Sequence, residues 1–134
     1  MKHFLTITVS LKGETVYSKR FALEGNYLIG RSSERCYEVS LAFSNPTTVI
    51  VLPQTSRHLS GFHCVLYEDE YYHIIDGWGE HKSTNGLHLN GRRIEFAVLR
   101  HGDIVFLGCQ EISLLYEVER AIAEDDKETL SEIP

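Results

Sequence analysis

The sequence predicts an all-β domain, and three observations carry the prediction. Apolar and polar residues alternate with period two in short runs along most of the chain. Polar turn residues separate these runs, among them Asn90-Gly91, the strongest short hairpin signal. Only residues 119–130 have a helix-forming composition, and no earlier segment makes a convincing amphipathic helix. Many short strands without a helical layer imply a β-sandwich or barrel.

The elements follow in order. Residues 4–10 alternate, turn at Lys12-Gly13 and return over residues 15–21, which reads as a hairpin. Tyr27-Leu28-Ile29 is a short apolar strand ending at Gly30-Arg31. Residues 32–48 carry Ser, Asn, Pro and Thr punctuation with weak periodicity, and are expected to form a long surface loop of the kind that carries function. Residues 49–52 form the next strand, closed by Pro53. Residues 63–67 and 71–75 flank the acidic turn Glu68-Asp69-Glu70 as a second hairpin. Leu87-His88-Leu89 and residues 92–96 flank Asn90-Gly91 as a third, and runs at 104–107 and 112–118 complete the ordered part. One domain is therefore expected over residues 1–118, followed by an acidic tail, 119–134, as a frayed helix or disordered segment.

Bulk properties bound the function. A chain of 134 residues accommodates one domain with a proper core, and a 43% hydrophobic content excludes disorder over the whole length. The formal charge of −6 is concentrated from Glu117 onward, where seven acids face only Arg120 and Lys127. The folded part is nearly neutral, so local cationic clusters set its electrostatics. Such a balance argues against a nucleic-acid partner, which calls for many cations facing phosphates. Cys36, Cys64 and Cys109 are scattered and odd in number, without the paired spacing of a zinc site, and no metal or cofactor is expected. Cys64 and Cys109 sit in apolar runs and are expected to behave as small core residues. Free thiols suit a reducing cytoplasm. No apolar stretch approaches a membrane span, and the alternating N-terminal run differs from a secretion signal.

The polar residues at strand ends form a set with a chemistry of its own. A phosphate monoester offers three acceptor oxygens and close to two negative charges. Reading it calls for a planar multi-donor cation, a hydroxyl and further amides on rigid loop ends. Arg31 supplies a guanidinium fit for bidentate contact, Ser60 a hydroxyl, Thr84 a second hydroxyl or amide, and Asn85 an amide able to hold a peptide main chain. Singly, each has a plainer reading: Gly30-Arg31 as a turn, Asn85-Gly86 as a hairpin corner, Ser60 as a loop end.

Together, Gly30-Arg31, Ser60-Gly61-Phe62-His63 and Ser83-Thr84-Asn85-Gly86 resemble, in order, the three signature motifs of forkhead-associated (FHA) domains. The segment Leu99 to Gly108 resembles that family's closing Leu-x-x-Gly-Asp-x-Ile stretch. The resemblance implies an FHA-like β-sandwich of two twisted, mainly antiparallel sheets with binding loops at one end. It implies a phosphothreonine-binding interaction module and signalling adaptor, reading a mark written by an upstream Ser/Thr kinase. Arg31, Ser60 and Thr84 would bind phosphate, Asn85 the peptide backbone, and Gly30, His63 and Gly86 would support the site. Gly61 stands where many members carry a polar or basic side chain that touches phosphate; Arg57, His58, Lys82 and Arg35 are nearby cationic candidates to replace it, Arg57 and Lys82 foremost. The alternative is a phospho-independent interaction or assembly module on the same fold. A hydrolase triad of Ser60, His63 and Asp76 is disfavoured, since no Gly-x-Ser-x-Gly elbow is present, and the chain is not expected to be an enzyme.

Overall fold

The computed structural model describes residues 1–52 and 58–120. Arg57 and the acidic tail beyond Arg120 lie outside the described residues. Among the described residues eleven strands and one helix follow in order: β1 (Lys2–Leu11), β2 (Glu14–Ala22), β3 (Asn26–Gly30), α1 (Ser33–Ser40), β4 (Thr47–Val51), β5 (Cys64–Glu68), β6 (Tyr72–Asp76), β7 (Leu87–Leu89), β8 (Arg92–Ile94), β9 (Phe96–Val98), β10 (Ile104–Leu107) and β11 (Ile112–Glu119). They build two sheets packed as a sandwich. The six-stranded sheet runs β2-β1-β11-β10-β7-β8, and the five-stranded sheet runs β4-β3-β5-β6-β9.

Alternation explains most of this. In β1, Leu5, Ile7 and Val9 are fully buried while their neighbours are only partly so, which turns one face of the sheet inward. Cross-strand neighbours Leu114 and Tyr116 of β11 bury on the same side. The turns at Lys12-Gly13 and Asn90-Gly91 both place two successive residues at positive φ, the geometry that matches the twist of a tight hairpin. Strand β3 is buried at all five positions. Its Tyr27 and Ile29 join the core between the sheets, whereas Leu28 packs outward with Cys36, Val39, Phe62 and Val65.

That outer cluster explains a departure from expectation. Residues 32–48 are not simply a loop, because α1 lies within them. Ser32 caps the helix by accepting from the Arg35 amide at 3.3 Å, and Glu34 sits in the first turn. Cys36 and Val39, one turn apart, are the residues it buries. Strands β3 and β4 pair in parallel, and a parallel pair needs a crossover that returns the chain to the same end. Helix α1 occupies that crossover.

A second departure concerns residues 92–96, expected as one strand. The chain changes sheets at the exposed Glu95, so β8 pairs with β7 while β9 pairs with β6. Cys64 is fully buried, as its apolar run implies, but Cys109 is only partly buried, in the turn before β11. Trp78 packs on Phe43 and Tyr67, with ring centroids at 4.6 and 6.3 Å. Among the described residues no helix is long and apolar enough to cross a membrane.

Candidate functional site

Three loop segments meet at one end of the sandwich, fastened by main-chain bonds and by side chains that hold main-chain groups. After β3, the amides of Arg31 and Ser32 donate to the carbonyls of Ser60 and Gly61 at 3.0 and 2.9 Å. A side chain at Gly30 would overlap the Gly61 carbonyl and lie 2.8 Å from the Cys36 sulfur, so only glycine lets these segments approach so closely.

His63 ties the second segment to the third. Its ring is fully buried; Nδ1 accepts from the Ser60 amide at 3.0 Å, and Nε2 donates to the Gly86 carbonyl at 2.8 Å. An amide can only donate, so Nδ1 carries no proton and the ring is the neutral Nε2–H form. Burial pushes the His63 pKa below 6.5, with Arg93 and His88 adding to the effect; the Gly86 bond and Asp76 oppose it. Both ring nitrogens are committed to main chain, so this histidine is not placed to act as a base on the Ser60 hydroxyl. The unfolded chain therefore takes up a proton near 6.5 that the folded chain refuses until lower pH. Stability conferred by His63 is complete above about pH 6.5 and declines as the pH falls below it, by at most about 1.4 kcal/mol per pH unit. Imidazole NMR on folded protein should show His63 still neutral below pH 6.5, and denaturant midpoints should fall between pH 7 and 5.

Ser60 is half-buried, and its Oγ accepts from the Thr84 amide at 3.0 Å. Accepting there leaves its own proton to point at a ligand. Thr84 is exposed beside it. Behind Thr84, buried Asp76 accepts from the Ser83 amide at 3.0 Å, and the Ser83 hydroxyl accepts from the Gly86 amide at 2.9 Å. Gly86 itself has φ near +79°. The third segment is thus held from below by Asp76 and the Ser83 hydroxyl, a bracing role that the sequence pattern does not mark.

Arg31 is exposed, and its Nε donates to the Leu59 carbonyl at 3.0 Å. That bond orients the guanidinium and leaves its terminal nitrogens without a hydrogen bond to any described residue. Arg31, Ser60 and Thr84 line one open cleft of about 770 Å³. Lys82 and His81 join them from just before the third motif, and Ser32, the cap of α1, adds to the lining with Ser33, Glu34, Arg35 and Glu38 of the helix. Asn85 is not on the wall of this cleft; its Nδ2 donates to the His58 carbonyl at 3.1 Å, and its carbonyl oxygen is left without a partner among the described residues. Arg93, which the sequence reading also passed over, reaches the Thr84 carbonyl at 3.5 Å. Its contribution arises across a hairpin, where no local spacing signals it.

A sandwich that gathers guanidiniums, an ammonium and hydroxyls around an open cleft at its loop end is built to hold a ligand. Comparison with known proteins makes the class specific. The family model for the FHA domain matches residues 27–108, and the chain belongs to that family of protein-interaction modules. An uncharacterized protein of Synechocystis sp., sll1895, is 37% identical over 108 residues, covering 75% of this chain. The match takes in only 14% of that protein's length. The crystal structure of the Slr1951 protein from Synechocystis sp. has a TM-score of 0.63 at 25% identity, covering 90% of this chain and 99% of that one. An FHA structure from work on phosphothreonine-dependent FHA domain interactions has a TM-score of 0.56 at 21% identity, covering 86% and 98%.

Proposed function

We propose that this domain binds partner proteins by a phosphorylated threonine, as a signalling adaptor downstream of a Ser/Thr kinase. The observation that carries the reading is the convergence of Arg31, Ser60 and Thr84 on one cleft, with the Ser60 hydroxyl proton left for a ligand. A phosphate there meets a guanidinium, hydroxyls and a nearby ammonium at Lys82. Each charge-assisted hydrogen bond is worth about 1.5–3 kcal/mol. Cleft volume exceeds what one phosphate fills, so flanking peptide has room, and the free Asn85 carbonyl oxygen and its amide lie beside it for main-chain contact. Val39, Val51 and Phe62 on the cleft wall supply apolar surface for the threonine methyl. That contact gives about 1–3 kcal/mol of preference over phosphoserine. Glu34 and Glu38 on the wall disfavour a polyanionic nucleic acid. Three free thiols suit the cytoplasm.

The experiment is binding of a degenerate phosphothreonine peptide library, beside the same library carrying phosphoserine and the same library unphosphorylated. Retention in the order phosphothreonine, phosphoserine, unphosphorylated supports the reading. Equal retention of all three sinks it and makes the domain a phospho-independent assembly module.

A further inference from the structure

Helix α1 brings a second guanidinium into the same cleft. Its first turn is fixed to Gly61 from behind: the Ser32 amide and the Cys36 thiol both donate to the Gly61 carbonyl, at 2.9 and 3.5 Å. From this base the Arg35 side chain crosses the face of Gly61. A Cβ built on Gly61 would stand 2.7 Å from Arg35 Cδ and 3.4 Å from Nε. Gly61 does not have positive φ, so its backbone suits any residue; what glycine provides here is passage for Arg35.

Charge makes this placement matter. Among the described residues, the permanent cations on the cleft wall are Arg31, Arg35 and Lys82, and the carboxylates are Glu34 and Glu38. Without Arg35 these described lining charges cancel, which makes a poor host for a dianion. Among the described residues Arg35 forms no ion pair, with these glutamates or any other acid. Its exposed side chain adds nothing to the core, so the fold alone gives no reason for a guanidinium at this point.

We propose that Arg35 is a phosphate-binding residue of this cleft, delivered by α1 across the bare Cα of Gly61. The inference rests on the phosphopeptide reading above and adds a contact to it. Arg31 would grip the phosphate from the β3 end and Arg35 from the helix side, with Ser60 and Thr84 beneath.

The test compares wild type, Arg35→Ala and the double variant Arg35→Ala/Gly61→Arg on the phosphothreonine library and its unphosphorylated counterpart. Thermal unfolding confirms that each variant is folded. Arg35→Ala should bind the phosphorylated library about tenfold more weakly, with unphosphorylated background unchanged. The double variant returns a guanidinium to the same spot from the other chain segment, and should recover most of the loss. In wild type, inorganic phosphate should shift the Arg35 Nε–H resonance in NMR together with that of Arg31. Wild-type-like binding by Arg35→Ala overturns the proposal while leaving the phosphopeptide reading intact. A loss shared equally by the unphosphorylated library, or no recovery in a folded double variant, also overturns it. Wild type that does not distinguish the two libraries overturns the phosphopeptide reading, and this contact with it.

Discussion

Replacing Arg31 with alanine is expected to remove phosphothreonine-dependent binding, by at least about a hundredfold, in a protein that remains folded. Two charge-assisted contacts to phosphate are lost at once, and each is worth roughly tenfold to a hundredfold. The cost to the fold is small. Arg31 is exposed, and the one bond its side chain makes, to the Leu59 carbonyl, is replaceable by water. Its amide bond to Ser60 is main chain and survives the substitution. Arg31→Lys separates charge from geometry: an ammonium keeps the charge but cannot reach Leu59 and make a forked contact together. Lysine should therefore recover only part of the affinity. Calorimetric titration with a peptide selected from the library, alongside unfolding midpoints, measures both sides. Undiminished affinity in Arg31→Ala would mean that the cleft does not hold the phosphate.

The second large effect falls on stability. His63→Ala should lower the unfolding free energy by about 2–4 kcal/mol and weaken phosphopeptide binding in the protein that stays folded. The half-buried Ser60 amide loses its acceptor, at about 1–3 kcal/mol, and the missing ring leaves a cavity. The Gly86 carbonyl suffers less, because the Gly108 amide also donates to it at 2.9 Å. Denaturant titration gives the stability change. Amide hydrogen exchange locates it, with the largest loss of protection at Ser60 and Thr84. The variant should also lose the part of the pH dependence below pH 6.5 that His63 contributes. If stability barely moves, the histidine is not the brace that its hydrogen bonds imply.

Most strands were legible because they turn one face to the core and the other toward water, so burial writes itself into the sequence as alternation. Strand β3 was legible for the opposite reason: both faces are covered, and Tyr27-Leu28-Ile29 reads as a continuous apolar run. Helix α1 left almost no trace. Cys36 and Val39 are its buried residues, and two apolar positions do not make a period. The crossing between sheets at Glu95 was equally silent, since the chain changes partners at one exposed residue without a glycine or proline.

At the site, Arg31, Ser60 and Thr84 were singled out in the sequence and the structure puts them on one cleft. Asn85 was singled out too, but stands beside that cleft. What could not be read was the layer beneath. Asp76 to Ser83 and Arg93 to Thr84 are side-chain bonds to main chain, set by where hairpins fold rather than by any motif. Nor could the spacing show that Arg35 lies over Gly61, because the two are joined only through the crossover helix.

The lacing of loops through their main-chain amides has a consequence for how the domain meets a partner. Ordering a flexible loop at the moment of association costs conformational entropy that subtracts from affinity. Here the amides of Arg31, Ser32, Ser60, Thr84 and Gly86 are already bonded within the domain. Their entropy was surrendered during folding, and at these positions an incoming peptide finds little left to arrange. At these positions the ordering cost of association falls on the incoming peptide rather than on the domain.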